Sequence, residues 1–167
     1  MSAKMKSLLR IVVVMFVMSI FVVPTLSHAK SVDELLTDLK SDKDTTRGAA
    51  AKALGKSGDV KAVEPLLEAL KAENEREEEG ENDKVEQYII EALGQLKDRR
   101  AVKTLIDVVK GEGEVEDEDE KSYVQEAAIK ALGDIGDPSA KEALEDAAEE
   151  KDPRLKRAAQ KALEKLK

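Results

Sequence analysis

A repeated tripeptide constrains the fold of this chain more than any other feature of its sequence. Ala-Leu-Gly occurs at 53–55, 92–94 and 131–133, and Ala-Leu-Glu at 162–164 matches its first two residues. The four leucines follow one another at intervals of 39, 39 and 31 residues. Such a period is typical of repeat proteins, in which each unit is one supersecondary element and buries its apolar face only against its neighbours.

The residues before each tripeptide have the periodicity of an amphipathic α-helix. Apolar or small side chains recur at offsets of 0, 3, 4, 7 and 8 residues, as at Val124, Ala127, Ala128, Ala131 and Leu132. This spacing places them on one helical face. We call the four predicted helices, over 46–54, 85–93, 124–132 and 155–163, the A helices.

A turn and a second amphipathic helix follow each of the first three A helices. A helix C-terminus favours a residue in the left-handed conformation, a place that we assign to Gly55, Gly94 and Gly133. The aspartate four residues later suits the N-cap of the next helix, as at Asp59, Asp98 and Asp137. We call these second helices the B helices; the first of them has the apolar face Val63, Leu66, Leu67 and Leu70.

One more B helix is predicted at the start of the repeat region. It carries the same apolar spacing at Val32, Leu35, Leu36 and Leu39, and Ser31 with Glu34 forms a capping box. The order is therefore B, then A-B three times, then A. This order predicts an all-α fold, a short right-handed α-α superhelix of seven to eight helices. An ordinary helical bundle is the alternative, but it gives no reason for a fixed repeat.

Three segments carry a family resemblance: Gly-Asp-Pro-Ser-Ala at 136–140, Ala-Val-Glu-Pro-Leu-Leu at 62–67 and Arg-Ala-Ala-Gln-Lys-Ala-Leu at 157–163. They resemble the short HEAT-like repeats of phycobilisome lyases. The resemblance implies the solenoid fold and no particular activity, because such repeats serve as binding scaffolds in many settings. The bilin lyases of that family are intracellular, which disagrees with the export signal described next. Deoxyhypusine hydroxylase, a second HEAT-like enzyme, binds iron through His-Glu motifs, whereas the repeat region here has no histidine.

Residues 1–29 have the layout of a secretory signal peptide. Lys4, Lys6 and Arg10 form a positive region, Ile11 to Val23 is apolar except for Ser19, and small residues precede a cut after Ala29. Export to the periplasm or outside the cell is therefore expected, with residues 30–167 as the repeat domain. An uncleaved membrane anchor is the alternative, although the apolar run is shorter than the roughly 20 residues of a spanning helix.

The composition of residues 30–167 excludes most routes to catalysis. This part has no His, Cys or Trp, and its 25 basic against 36 acidic residues give a net charge of −11. Phosphate backbones are bound by basic patches, general acid–base catalysis most often uses His, and zinc sites use mostly Cys and His. We therefore expect no enzyme, no cofactor, no nucleic acid partner and no membrane partner once the signal is removed.

Two insertions lengthen the central connections from a B helix to the next A helix by eight residues each. They span 73–83 and 111–121 and together hold 14 of the 36 acidic residues. Equivalent loops of a solenoid emerge on one edge, so the two insertions should lie side by side. We call this feature the acidic edge; its predicted partner-binding residues are Glu77, Glu78, Glu79, Glu81, Asp83, Glu116, Asp117, Glu118 and Asp119.

Three interpretations of the acidic edge remain open. A charge run is usually a solvated loop that promotes solubility. It could also dock a basic partner, which would relieve the repulsion among the carboxylates and associate faster. Weak calcium binding is the third, because calcium prefers carboxylate oxygens, and its candidates are Glu116, Asp117, Glu118, Asp119 and Glu120. The ordered spacing of an EF-hand is absent.

The concave surface, which B helices usually line in HEAT-like solenoids, is the other candidate binding surface; we call it the B-helix surface. Its predicted exposed residues mix both signs of charge, and Lys61, Arg100 and Lys103 are its candidate partner contacts; the rest are Glu64, Glu68, Asp107, Lys141 and Glu142. Tyr88 occupies an A-helix position that is alanine in the other three repeats, which favours a space-filling role over a ligand contact. Tyr123 is expected to begin the third A helix.

The predicted function is non-catalytic protein binding by a monomeric, exported scaffold. The partner would be another protein with a basic surface or segment, docked on the acidic edge. A weak calcium-binding protein and an accessory subunit of an enzyme are the alternatives.

Overall fold

The computed structural model describes residues 30–75, 82–111 and 118–166. These residues form eight α-helices and no strand, so the all-α prediction is confirmed for them. The B helices are α1 (Val32–Asp38), α3 (Val63–Asn74), α5 (Val102–Val109) and α7 (Lys141–Glu149); the A helices are α2 (Asp44–Ser57), α4 (Asn82–Leu96), α6 (Glu118–Ile135) and α8 (Pro153–Lys165). None of the eight is long and apolar enough to cross a membrane. The predicted signal peptide and its cut after Ala29 lie outside the described residues.

The helices stack in successive layers. Each A helix packs on the next one, α2 on α4, α4 on α6 and α6 on α8, and each B helix packs on the A helix that follows it. Leu54, Leu93 and Leu132 of the tripeptides are completely buried between these elements. The packing unit is thus a B helix with the following A helix, whereas the sequence suggested A followed by B.

The glycines of the tripeptides do not end the A helices, so that part of the sequence interpretation is wrong. Each of the three helices continues for two residues beyond its glycine, and the left-handed residues are Gly58, Lys97 and Gly136, with φ angles of 69°, 53° and 72°. The tripeptide glycines instead permit close helix packing. A Cβ added to Gly94 would lie 2.8 Å from the Cα of Ala131 on the next A helix, and Gly55 and Gly133 lie equally close to Ala92 and Ala162.

The aspartates after these glycines cap the next element as predicted. The Asp59 carboxylate accepts a hydrogen bond from the backbone N–H of Lys61, and Asp98 and Asp137 act in the same way on Arg100 and Ser139. Each caps a single 3-10 turn that leads directly into a B helix. The capping box of α1 is also present, because Ser31 and Glu34 each accept a hydrogen bond from the other's backbone N–H.

The helices reach further into the two insertions than the sequence predicted. The first insertion was placed at 73–83, but α3 continues to Asn74 and α4 begins at Asn82. The second was placed at 111–121, but α6 begins at Glu118 instead of near Tyr123. Acidic residues in a first helical turn interact favourably with the positive end of the helix dipole, so the acidic run itself supports the start of α6. The connections are 75–81 and 110–117.

Candidate functional site

The acidic edge is defined in the structure by the helix ends on either side of it. The first connection runs from the end of α3 to the start of α4, and the second from the end of α5 to the start of α6. Because α4 packs on α3, α6 packs on α5, and α4 packs on α6, these ends lie on one edge of the stack. Two long acidic connections therefore start and finish there.

The predicted partner-binding residues of this edge are only partly within the described chain. Asp83 lies in the first turn of α4, and Glu118 and Asp119 lie in the first turn of α6. Outside the described residues are Glu77, Glu78, Glu79, Glu81, Glu116 and Asp117. The structure thus places the flanking helix ends on one edge, and the side-by-side arrangement of the two segments themselves stays a prediction.

Glu73 does not belong to the acidic edge, although the sequence placed it there. It lies in the last turn of α3, where its side chain is 3% exposed and forms an ion pair with Arg47 of α2, which is 1% exposed. The Arg47 Nε and Nη2 atoms donate to the two Glu73 carboxylate oxygens over 2.7 and 2.9 Å. Glu73 is therefore a buried, paired charge that a partner docking on the acidic edge could not contact.

The surroundings of Arg47 complete its hydrogen bonding. Its Nη2 also donates to the Asp44 carboxylate over 2.7 Å, and its Nη1 donates to the backbone carbonyl of Ser41 over 3.0 Å. Burial alone would lower the pKa of this guanidinium, but the hydrogen bonds and charges of Glu73 and Asp44 outweigh it and raise that pKa. The pair fixes the end of α3, the element from which the first acidic segment starts.

A sequence signal was available for one member of this buried pair. Glu73 continues the spacing of Leu66 and Leu70 along the buried face of α3, since it follows Leu70 by three residues. Arg47 carries no such signal, because it follows Thr46, the first position of the A-helix stripe, by one residue and so falls outside the predicted stripe. The high density of charge around Glu73 concealed the periodicity.

On the B-helix surface, Arg100 links two successive layers. Its Nη1 donates to Glu64 of α3 over 3.0 Å and its Nη2 donates to the backbone carbonyl of Val60 over 3.0 Å. It also forms a bidentate pair with Asp98, at 2.9 and 2.8 Å. The Arg100 side chain, with help from its own N–H, lowers the pKa of Asp98. The Arg100 side chain therefore connects the turn that contains Asp98 with the turn that contains Val60.

Arg99, in the same turn as Arg100, makes the corresponding link to the following layer. Its Nε donates to the Asp137 carboxylate over 2.9 Å. Asp137 has a lowered pKa because the Ser139 hydroxyl and backbone N–H donate to it and Arg99 lies beside it. These residues border a groove of about 430 Å³ at the start of α5, lined also by Val102, Lys103 and Ile106.

The other predicted positions of the B-helix surface are exposed, with one exception. Lys61 is exposed, and Lys103 is exposed and pairs with Asp107 one helical turn away over 3.0 Å. Asp107 is half-buried, whereas the remaining four are exposed: Glu64, Glu68, Lys141 and Glu142. Ion pairs within the surface thus engage Arg100 and Lys103, the two cations that were candidates for partner contacts along with Lys61.

Both tyrosines of the repeat region lie next to a cation of the preceding or following A helix. Tyr88 is half-buried; its ring covers Gly48, where an added Cβ would lie 2.8 Å from the ring, and Lys52 Nζ is 3.3 Å from the ring centre. This packing supports the space-filling role. Tyr123 lies inside α6, is 55% exposed and has the Arg154 guanidinium 4.6 Å from its ring centre.

No group of His, Cys, Asp or Glu within 30–75, 82–111 and 118–166 has the arrangement needed to hold a metal ion. Of the calcium candidates, Glu116 and Asp117 lie outside those residues. Glu118, Asp119 and Glu120 are in the first turn of α6. Calcium binding by this segment stays a prediction.

Comparison with known proteins identifies the repeat. A family model described as HEAT repeats matches residues 17–81 and 76–164, which together cover most of the chain. The chain belongs to the HEAT-repeat family. The first match begins at residue 17, inside the segment predicted to be a signal peptide. Because the matched model covers HEAT repeats in general, the narrower resemblance to phycobilisome lyases stays a prediction.

A solved structure agrees with the HEAT fold. The chain is similar to human deoxyhypusine hydroxylase in complex with glycerol, with 24% identity and a TM-score of 0.61 over 81% of this chain. The similar region spans only 43% of that enzyme. At this identity the similarity concerns the fold alone. No curated protein sequence matches the chain.

Proposed function

We propose that this HEAT-repeat protein is an exported, non-catalytic scaffold whose acidic edge binds a basic surface or segment of a partner protein. One observation carries the proposal: both long acidic connections begin and end at the same edge of the stack. The other two connections between a B helix and the next A helix, 39–43 and 150–152, are shorter. Extra length and extra negative charge thus occur together on the two central layers.

Electrostatics support this edge as the docking surface. The carboxylates that remain after Glu73 is removed from the set are concentrated on two segments whose flanking helix ends lie on one edge. A concentration of one sign of charge attracts an oppositely charged partner and accelerates encounter by roughly 10- to 1000-fold at low salt. On the B-helix surface, by contrast, Arg100 and Lys103 already have carboxylate partners.

Export and the absence of catalysis are part of the same proposal. The layout of residues 1–29 supports export, and a chain without cysteine needs no disulfide in an oxidising compartment. The lack of His and Cys in residues 30–167 supports a binding role over an enzymatic one.

The experiment compares two variants that each remove five negative charges. The test variant neutralises the second acidic segment with E116Q, D117N, E118Q, D119N and E120Q. The matched control neutralises exposed acids on and just after α7 with E142Q, E145Q, D146N, E149Q and E150Q. Each protein is immobilised, and the association rate of a lysine-rich peptide is measured at low and at physiological salt.

The test variant should bind the peptide about tenfold more slowly at low salt, and the difference should shrink as salt screens the charges. The control should keep most of the wild-type rate. Equal losses in the two variants would show that only net charge matters, and the acidic edge would then not be a docking surface. Export is tested separately by mass spectrometry of the protein from the extracellular or periplasmic fraction, where a first residue other than Lys30 would contradict the predicted cut.

A further inference from the structure

The two ends of the helical stack differ in what they expose. At the C-terminal end, Glu164 of α8 stands where the other A helices have the buried glycine, and Arg157 and Gln160 are exposed beside it. No further A helix can approach this face as closely as the internal ones do, because the close contact requires a glycine. The C-terminal end is therefore closed by polar side chains.

The N-terminal end has kept the residue types of an internal layer. Ala53 of α2 is equivalent to Ala92, Ala131 and Ala162, which are 1–2% exposed beneath the glycine of the preceding A helix. In α2 no A helix precedes among the described residues, and Ala53 is half-buried and Ala49 exposed. The face that receives a helix in three layers is thus open in the first.

This open face forms a groove between α1 and α2 with a volume of about 650 Å³. Val32 and Leu35 of α1 line one side, and Thr46, Ala49 and Ala53 of α2 line the other; Lys30, Asp38 and Lys56 also border it. In the next layer the counterparts of Val32 and Leu35 are Val63 and Leu66, and these are completely buried. The groove therefore has the lining of a helix-binding surface. We refer to it as the end groove.

One of the three internal contacts, that of α6 with α8, also indicates the charge of what the end groove accepts. Lys56 follows Ala53 by three residues, as Lys165 follows Ala162. Lys165 Nζ pairs over 2.6 Å with Asp134, the residue directly after Gly133 on the preceding A helix. Lys56 is exposed and pairs with no carboxylate of the described residues. A helix in the end groove would place an acidic residue opposite Lys56 if it carried the same Gly-Asp pair.

We propose that the end groove binds an amphipathic helix of a partner protein, with a glycine or similarly small residue over Ala53 followed by an acidic residue opposite Lys56. The surface shares no residue with the acidic edge, so it goes beyond the proposed function and can fail independently of it. The proposal extends the A-on-A interface that occurs three times inside the molecule.

A second copy of the chain fits the end groove less well. Two copies meeting at their N-terminal ends would bring two concave faces together, and neither would fill the other. A copy offering its C-terminal end would present Glu164, Arg157 and Gln160, with no glycine at the point of contact. A single acidic helix from another protein fits both the shape of the end groove and the positive charge of Lys56.

The probe is a capped synthetic peptide with the sequence of residues 122–137, which carries Gly133 and Asp134. It is titrated into the full chain as purified, with the N-terminus established by mass spectrometry, and the alanine methyl groups are followed by NMR. The Ala49 and Ala53 signals should shift in a saturable way. The Ala143 and Ala147 signals on α7 serve as internal controls and should not move.

Variants of the peptide and of the protein separate the steric from the electrostatic contribution. Gly133→Leu in the peptide should weaken binding at least tenfold, since the added side chain prevents close approach. Lys56→Glu in the protein should weaken binding about threefold, the effect of one exposed ion pair. The peptide with Asp134→Lys should restore affinity for the Lys56→Glu protein. The matched control, Lys161→Glu at an exposed position of α8, should bind the peptide as the wild type does.

Three outcomes would overturn the proposal. A Gly133→Leu peptide that binds as well as the original would exclude the internal A-on-A geometry. Dimerisation in sedimentation experiments, abolished by Lys56→Glu, would make a second copy the occupant. Binding that requires prior removal of residues 1–29 would make the chain's own N-terminal segment the occupant. None of these outcomes depends on whether the lysine-rich peptide binds the acidic edge.

Discussion

Replacing Gly94 with alanine sets two physical effects against each other. In an ordinary helix interior this change stabilises a protein by about 1 kcal/mol, because alanine is the better helix former. Here an added Cβ would lie 2.8 Å from both the Cα and the Cβ of Ala131. Carbon atoms prefer a separation of at least ~3.5 Å, so α4 and α6 would have to move apart by about 0.7 Å.

The steric effect should win. The opposing atom is backbone and cannot rotate away, which places the overpacking cost near the upper end of its usual range, about 3 kcal/mol. A gap of 0.5–1 Å removes roughly a quarter to a half of the dispersion energy of each contact along the α4–α6 interface. We therefore expect Gly94→Ala to lower the free energy of unfolding by about 2 kcal/mol.

Urea unfolding followed by circular dichroism measures this change. Glu91→Ala, an exposed substitution on the same helix, is the matched control and should alter stability by less than about 0.5 kcal/mol. Adding Ala131→Gly should recover only part of the loss, because the Cα of residue 131 stays in place. A Gly94→Ala protein as stable as the wild type, or more stable, would refute the close-approach explanation of the tripeptide glycines.

Three further substitutions test other parts of the fold. Lys97→Gly should increase the free energy of unfolding by about 0.5–1 kcal/mol, because Lys97 adopts a φ of 53° that glycine tolerates better. The urea midpoint should therefore rise, and a lower midpoint would contradict this. Glu73→Leu should lower the free energy of unfolding by about 3 kcal/mol, because the Arg47 charge stays buried without its main partner. Adding Arg47→Met should restore most of this loss; a double variant no more stable than Glu73→Leu alone would exclude the coupling. Asp152 has a pKa lowered to about 2, chiefly by the hydrogen bond from the Ser122 hydroxyl and then by the Arg154 N–H. Its carboxylate therefore stabilises the fold above about pH 4 and loses that effect as the pH falls towards 2. Ser122→Ala should raise the pKa of Asp152, so that the carboxylate stabilises the fold over a narrower range of pH. An NMR titration showing an unchanged Asp152 pKa would contradict the assignment.

The helical faces could be predicted from sequence because burial follows periodicity. Val124, Ala128 and Leu132 all lie on the buried side of α6, as their spacing indicates. The capping aspartates were also predictable, since a cap is a local interaction between residues two or three apart. These local rules, together with the recurring tripeptide, were sufficient to establish the order of helices.

The role of the tripeptide glycines could not be predicted, because one residue type serves two purposes. Glycine permits a left-handed turn and also permits close packing, and both occur near the end of a helix. Only the distance to Ala131 distinguishes the two for Gly94. The left-handed position of the second repeat is a lysine, so a search for glycine alone misses it.

The position of the acidic edge was predicted from sequence, but the length of its two loops was overestimated. The spacing of equivalent helix positions predicted two long connections, but neither spacing nor charge density gave information about Glu73, whose partner is 26 residues away in sequence. The end groove was not anticipated at all. Its openness depends on the absence of a preceding A helix among the described residues, and it becomes visible only when equivalent alanines are compared for exposure.

Each turn from an A helix to the next B helix has the same length, five residues, at 58–62, 97–101 and 136–140. The connections on the opposite edge range from three to eight residues without altering how the A helices stack. The turns of constant length on one edge thus set the spacing of the layers, whereas the connections on the other edge tolerate changes of length and sequence. A foreign loop grafted between Asn74 and Asn82 should be carried without disturbing the layers, which makes this scaffold suitable for displaying peptides in pairs.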